Sequence, residues 1–102
     1  MNDTRSPAPD VVVYTGPFCP YCVQAKMLLK RKGVEFREID VSRDPAIRAD
    51  VMARSGQRTV PQIWIGEYHV GGCDDLYALD RAGKLDPLLA GAAPGGTINN
   101  DR

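Results

Sequence analysis

Two cysteines separated by two residues, Cys19-Pro20-Tyr21-Cys22, stand where a β-branched run stops and a helical pattern starts. Ahead of them, Val11-Val12-Val13-Tyr14 reads as a short buried strand that Thr15-Gly16-Pro17 brings to an end. Behind them, Ala25, Leu28 and Leu29 recur on one helical face between Tyr21 and Lys32, and Gly33 is the stop signal. A strand that runs straight into a helix leaves the first cysteine among backbone N–H groups that have no helical partner. That placement is the tightest constraint the chain carries.

The remaining elements follow the same logic. Phe36 to Val41 sets Phe36, Ile39 and Val41 against Arg37, Glu38 and Asp40, a second strand. Two strands around one helix close as a right-handed parallel unit. Asp44-Pro45 opens a second helix with Pro in its first turn, Ile47, Val51 and Met52 give it an apolar face, and Gly56 ends it. Gln62 to Ile65 and Tyr68 to Val70 are strands joined by Gly66-Glu67, with Gly first as a type II′ turn prefers, so they pair antiparallel. Asp74 to Ala82 is helical through Leu76 and Leu79, Gly83 closes it, and Leu85 to Leu89 adds a short helical piece. The order is βαβαββα, an α/β chain without internal repeat.

A length of 102 residues, 43% hydrophobic and 25% charged, fits one globular domain that folds without staples. The expected domain is residues 10–90, after a flexible lead-in over 1–9 and before a Gly-, Ala- and Asn-rich disordered tail over 91–102. Thirteen Lys+Arg balance thirteen Asp+Glu, so no global basic field exists to hold nucleic acid or an anionic membrane. The balance is uneven along the chain, with ten basic and seven acidic side chains up to Arg58 and three and six beyond it. No apolar run is long enough to span a membrane, and no secretory signal is read at Met1 to Asp10. Three cysteines are too few, and odd in number, for a secreted disulfide scaffold. A cytoplasmic protein is expected, in which Cys-x-x-Cys spacing means redox chemistry or metal.

A free cysteine with its reference pKa near ~8.5 is mostly protonated at neutral pH, yet the thiolate is the nucleophile in sulfur exchange. Cys19, at the positive end of the following helix, has the backbone donors and dipole that favour S⁻. Pro20 suits a first turn because its φ is preset and its missing N–H is not needed there. Cys22 lies one turn on, facing inward and within disulfide reach of Cys19. Cys19 is therefore the attacking sulfur and Cys22 the resolving one. Zinc is the competing use of this spacing, but a closed site needs two more ligands and only Cys73 and His69 remain. Lys26, Lys30, Arg31 and Lys32 lie on the same helix, some adding positive potential near the site, Arg31 and Lys32 reading as solvated surface.

Cys19-Pro20-Tyr21-Cys22, Thr59-Val60-Pro61 and Gly71-Gly72-Cys73-Asp74-Asp75, in this order and spacing, resemble a dithiol glutaredoxin of the bacterial type over nearly all of residues 10–90. The resemblance implies a thioredoxin-like fold, a mixed four-stranded sheet with helices on both faces. It implies that Pro61 is cis and that Thr59-Val60-Pro61 lies beside the cysteine pair. It also implies glutathione as co-substrate, with no bound cofactor and no metal. Val60 can offer its backbone N–H and C=O to the cysteine of glutathione, aligning the incoming sulfur with Cys19. The γ-glutamyl carboxylate is expected on the N–H groups that open the third helix around Cys73 and Asp74, and its ammonium against Asp74 and Asp75, whose alternative role is N-capping. Tyr21 is expected to face the substrate. The glycine carboxylate is met in the family by a Lys three residues before the nucleophile and by a polar residue two before the Thr. Those positions are Gly16 and Gln57 here, so the Gln is present and the Lys is not. Arg54 or Arg58 is the replacement, or ordinary surface charge. Phe18 is expected to narrow or grease the rim.

The reaction implied is glutathione-dependent reduction of glutathione mixed disulfides through Cys19 alone, and of protein disulfides through Cys19 and Cys22. The partners implied are glutathione, glutathionylated proteins and protein disulfides, on a monomer. Three other readings compete: a redoxin fed by thioredoxin reductase, an iron–sulfur cluster shared between two protomers with glutathione, and a structural domain with inert cysteines. Pro20 stands where cluster-binding relatives usually have Gly, which disfavours the second. Cys73 reads as a small residue filling a helix start, with a redox-sensitive switch as the sharper alternative. His69 reads as an ordinary sheet residue, and Trp64 as packing on the sheet.

Overall fold

The computed structural model describes residues 9–91. The expected lead-in and tail fall outside these residues except for Pro9 and Gly91. Strand β1 (Val11–Thr15) leads into helix α1 (Pro20–Arg31), followed by β2 (Arg37–Asp40), α2 (Pro45–Ser55), β3 (Gln62–Ile65), β4 (Tyr68–Gly71), α3 (Cys73–Arg81) and the short α4 (Leu85–Leu89). The four strands form one sheet in the order β2-β1-β3-β4. β1 runs parallel to β2, with Val13 opposite Glu38, and antiparallel to β3, with Val13 opposite Ile63. β4 pairs antiparallel with β3, and an irregularity between Ile63 and Trp64 leaves Val70 without an opposite residue.

Strand alternation divides the core in two. Val11 and Val13 of β1 and Ile63 and Ile65 of β3 point to one face, where Ala25, Leu28 and Leu29 of α1, Leu76 of α3, and Leu85 and Leu88 of α4 cover them. Trp64 of β3, with Tyr14 of β1, points to the other face and meets Val51 and Ile47 of α2. The sheet thus carries helices on both faces, and the mixed four-stranded arrangement follows.

β2 is shorter than the sequence alternation suggests. It stops at Asp40, and Val41–Arg43 forms a 3-10 turn instead of continuing the strand. The cause is Asp40, whose Oδ1 accepts hydrogen bonds from the Ser42 backbone N–H (2.9 Å) and hydroxyl (2.6 Å), bending the chain locally. Val41 is still buried, on the α2 face. Gly66 takes the turn into β4 with φ +60°, consistent with its place in a tight hairpin. Among the described residues no helix is long and apolar enough to cross a membrane.

Candidate functional site

β1 and the first turn of α1 meet at Cys19. Its backbone is extended (φ −115°, ψ 98°), which makes it the N-cap of α1, and Pro20 occupies the first helical position. The Cys22 backbone N–H donates to Cys19 Sγ at 3.1 Å, so one of the orphan donors of α1 is spent on this sulfur. The two cysteines are paired as a disulfide, with Cα atoms 5.2 Å apart. Cys22 is buried beside Ala25 while Cys19 keeps partial exposure, the asymmetry expected of an attacking and a resolving sulfur.

The Val60–Pro61 peptide bond is cis. Cys19 Sγ lies 3.7 Å from the carbonyl oxygen of Val60, so the cis-proline loop and the cysteine pair are neighbours. A cleft of about 370 Å³ opens here, walled on one side by Tyr21 and on another by Thr59, Val60 and Pro61. Gln57 lines it as well, and Gly72, Cys73, Asp74 and Asp75 complete it at the start of α3. Residues distant in sequence that share only an expected chemistry are thus brought to one place.

Within that cleft the two aspartates differ. Asp75 Oδ2 accepts a hydrogen bond from the backbone N–H of Gly72 at 2.9 Å, the N3-to-N-cap half of a capping box on α3. Gly71, at φ +111°, has its missing Cβ replaced by this carboxylate, so any larger residue there collides with Asp75. Asp74 is exposed and makes no hydrogen bond or ion pair among the described residues, leaving its carboxylate open to a ligand. Cys73 is buried, and loss of solvation holds its thiol above the usual cysteine range, with Asp74 pushing the same way. Both effects favour the protonated thiol, in keeping with a helix-start filler.

Several charged and aromatic residues lie elsewhere than sequence reasoning puts them. Phe18 is fully exposed, at φ +51°, and is not among the residues that line the cleft. Its left-handed backbone is what the sharp turn from β1 into the N-cap requires. Lys26 is paired with Glu38 at 3.0 Å, and Lys32 with Asp86 at 3.0 Å and Asp80 at 2.6 Å, so neither reaches the site. The Glu38 carboxyl is held below the usual range chiefly by the Lys26 hydrogen bond, helped by the Thr15 hydroxyl. Arg54 donates to the Tyr14 hydroxyl (3.0 Å) and to Asp50 (2.9 Å) and stacks 4.4 Å over Trp64, which commits it away from the cleft. Of the two candidate replacements for the missing lysine, Arg58 alone is left exposed and without an ion pair among the described residues. The position of that lysine, Gly16, faces a methyl of Val60, which a Cβ would approach to 3.2 Å.

One buried polar side chain was not singled out by the sequence reading. Gln62 has no solvent exposure, and its amide nitrogen donates to Gln57 Oε1 (2.9 Å) and to the Thr59 carbonyl (3.0 Å). Its amide oxygen lies 2.8 Å from His69 Nε2. The signal was a lone amide opening the otherwise apolar run Gln62-Ile63-Trp64-Ile65, because a polar group in a buried strand is there to be hydrogen-bonded.

Comparison with known proteins agrees with this geometry. The glutaredoxin family model matches residues 11–70. A glutaredoxin of Pseudomonas aeruginosa is 62% identical over 80% of this chain and 98% of its own length. The solution structure of a Brucella melitensis glutaredoxin superposes with a TM-score of 0.76 at 58% identity, covering 89% of this chain and 96% of that one. The crystal structure of a buckwheat glutaredoxin–glutathione complex gives 0.74 at 37% identity, over 79% and 76%. A paired Cys-x-x-Cys at the start of α1, on a thioredoxin-like sheet with relatives this close along most of its length, makes the chain a member of the glutaredoxin family and a thiol–disulfide oxidoreductase.

Proposed function

We propose that the protein takes its electrons from glutathione and reduces both glutathione mixed disulfides and protein disulfides. The observation that carries this reading is the 3.7 Å separation of Cys19 Sγ from the Val60 carbonyl, at a cleft with the start of α3 at one end and Gln57 lining it. A tripeptide with a carboxylate at each end and a sulfur in the middle matches that distribution. Val60 pairs with the cysteine backbone of glutathione, the α3 N–H groups take the γ-glutamyl carboxylate, Asp74 takes the ammonium, and Gln57 takes the glycine carboxylate. Thr59 and Tyr21 form the walls, and Asp75 serves mainly as the cap that holds the α3 start in place. The glutathione complex of the buckwheat relative supports this choice of ligand.

On a glutathione mixed disulfide, the reduced Cys19 thiolate attacks the glutathione sulfur, the substrate leaves as a thiolate, and Cys19 is glutathionylated. A second glutathione thiolate attacks the same sulfur, releasing oxidised glutathione and restoring Cys19. On a protein disulfide, Cys19 forms a mixed disulfide with one substrate sulfur, and the Cys22 thiolate then attacks Cys19 Sγ. The substrate leaves as a dithiol, and Cys19–Cys22 becomes the disulfide described above. Two glutathiones reduce it. Family potentials of about −200 to −230 mV allow a cytoplasmic glutathione pool to drive both cycles, and the cytoplasm is the setting we assign.

The test is to assay a glutathionylated peptide and a protein disulfide with the parent, Cys19→Ser and Cys22→Ser. Cys19→Ser is expected at background on both. Cys22→Ser keeps the peptide activity and loses most of the protein-disulfide activity. Equal loss of the peptide activity in both variants contradicts the one-thiol route, and parent activity that does not depend on glutathione contradicts the choice of reductant.

A further inference from the structure

Behind the cleft, a chain of side chains runs from β4 through the buried start of β3 to the loop that carries Gln57. Its polarity follows from the one partner that can only accept, with the Thr59 hydroxyl a longer contact of the Gln62 amide nitrogen at 3.4 Å. The Thr59 backbone carbonyl can only accept, so the Gln62 amide atom 3.0 Å from it is the NH2 group. That turns Gln62 Oε1 toward His69, and an amide oxygen 2.8 Å from Nε2 requires the proton to be on Nε2. The second hydrogen of the Gln62 amide points to Gln57 at 2.9 Å, and the atom that receives it must be Gln57 Oε1. The NH2 group of Gln57 is thereby left as the donor on a residue that lines the cleft. The backbone of Gln57 is clamped too, its N–H donating to Ser55 Oγ at 3.0 Å while that hydroxyl donates back to the Gln57 carbonyl at 3.1 Å.

Building on the glutathione reading above, we infer that His69 and Gln62 are positioning residues that fix the amide of Gln57 with its donor face toward the glycine carboxylate of glutathione. An unsupported glutamine presents oxygen and nitrogen with similar ease, and the oxygen repels a carboxylate. The relay removes that choice. His69 suits the task because its ring is stacked on Trp64, with centroids 4.5 Å apart, and because partial burial lowers its pKa, which favours the neutral ring with its single proton committed to Gln62. Gln62 suits it because it is fully buried, so no water competes for its amide. A separate bond from the Gln62 amide holds the Thr59 carbonyl at 3.0 Å, and so ties the start of the Thr59-Val60-Pro61 loop to β3. With the family's lysine absent at Gly16 and Arg58 outside the cleft lining, the oriented amide of Gln57 is the donor this end of the cleft offers.

The test separates orientation of Gln57 from general damage to the site. His69→Phe removes the N–H donor but keeps a ring on Trp64; His69→Gln keeps an N–H that can reach Gln62 Oε1. Each is assayed with glutathione and with glutathione whose glycine carboxylate is converted to the primary amide. His69→Phe is expected to raise KM for glutathione about tenfold, to leave kcat within about twofold, and to leave KM for the amide unchanged, while His69→Gln behaves as the parent. Gln62→Glu, which cannot donate to Gln57 or Thr59, is expected to show the same selectivity loss if its circular dichroism spectrum is native. His69→Phe covers the case in which it is not. Equal loss on both ligands, or no loss on either, overturns the relay. A parent enzyme that turns over with neither ligand overturns the glutathione reading itself. Normal turnover with both and no difference between parent and His69→Phe overturns the relay alone.

Discussion

Asp74 and Asp75 are adjacent and chemically identical, and the structure separates their work. Asp75 is bonded to the Gly72 N–H, so Asp75→Ala is expected to cost about 1 kcal/mol of stability, seen as a lower urea midpoint. Asp74 supports no internal bond among the described residues, so Asp74→Ala is expected to leave the urea midpoint alone and raise KM for glutathione about tenfold. A urea midpoint that falls for Asp74→Ala and not for Asp75→Ala contradicts this assignment. At this scale the sequence was readable wherever chemistry demands one residue type. A sulfur pair at helix-start spacing, a proline and a pair of glycines before acids leave few alternatives. It was less readable where the role depends on orientation. Phe18 next to Cys19 reads as a rim residue, yet its positive φ turns it outward. Gln62 is one amide among many until its burial and its three partners are seen.

Helices and strands position these residues by burying one face each. α1 is held by Leu28 and Leu29, and α3 by Leu76, all with almost no exposure, and those two helices pack on the same sheet face. Since both carry cleft residues at their first turns, a cavity between them loosens the site as well as the fold. Leu76→Ala is expected to lose about 2 to 5 kcal/mol in urea unfolding, whereas Met27→Ala, on the exposed side of α1, stays within about 0.5 kcal/mol. Loss of equal size at both positions contradicts the placement of α1. Element order and type were legible, because periods of two and of 3.6 residues mark the strands and helices and glycine marks their ends. The end of β2 was not. Alternation carries the strand through Val41, and only the Asp40 side chain bonding forward to Ser42 shows why pairing stops one residue earlier.

Across the whole molecule, the two faces of the sheet have separate duties. The face under α1, α3 and α4 is the larger apolar core, while the face under α2 combines Trp64 with the polar chain through His69 and Gln62. His69 is the only histidine, and burial lowers its pKa below the usual value, Arg54 adding to this and Asp75 partly opposing it. The unfolded chain therefore takes up a proton near pH ~6.5 that the folded chain resists, so stability is lost as the pH falls below that value. Urea unfolding of the parent and of His69→Gln is expected to agree near pH ~8 and diverge toward pH ~5, the parent losing more. Parallel curves contradict a half-buried ring whose pKa is lowered in the folded chain. The sheet, the start of α1 and the cis-proline loop converge on one atom, Cys19 Sγ, and the account stands on that sulfur being ionised in the reduced protein at neutral pH. The most direct measurement is the rate of iodoacetamide alkylation of Cys19 against pH, read in a reduced Cys22→Ser, Cys73→Ser background. The account predicts a rate already near its plateau at mildly acidic pH; a rate that climbs about tenfold per pH unit until pH ~8.5, as for a free thiol, contradicts it.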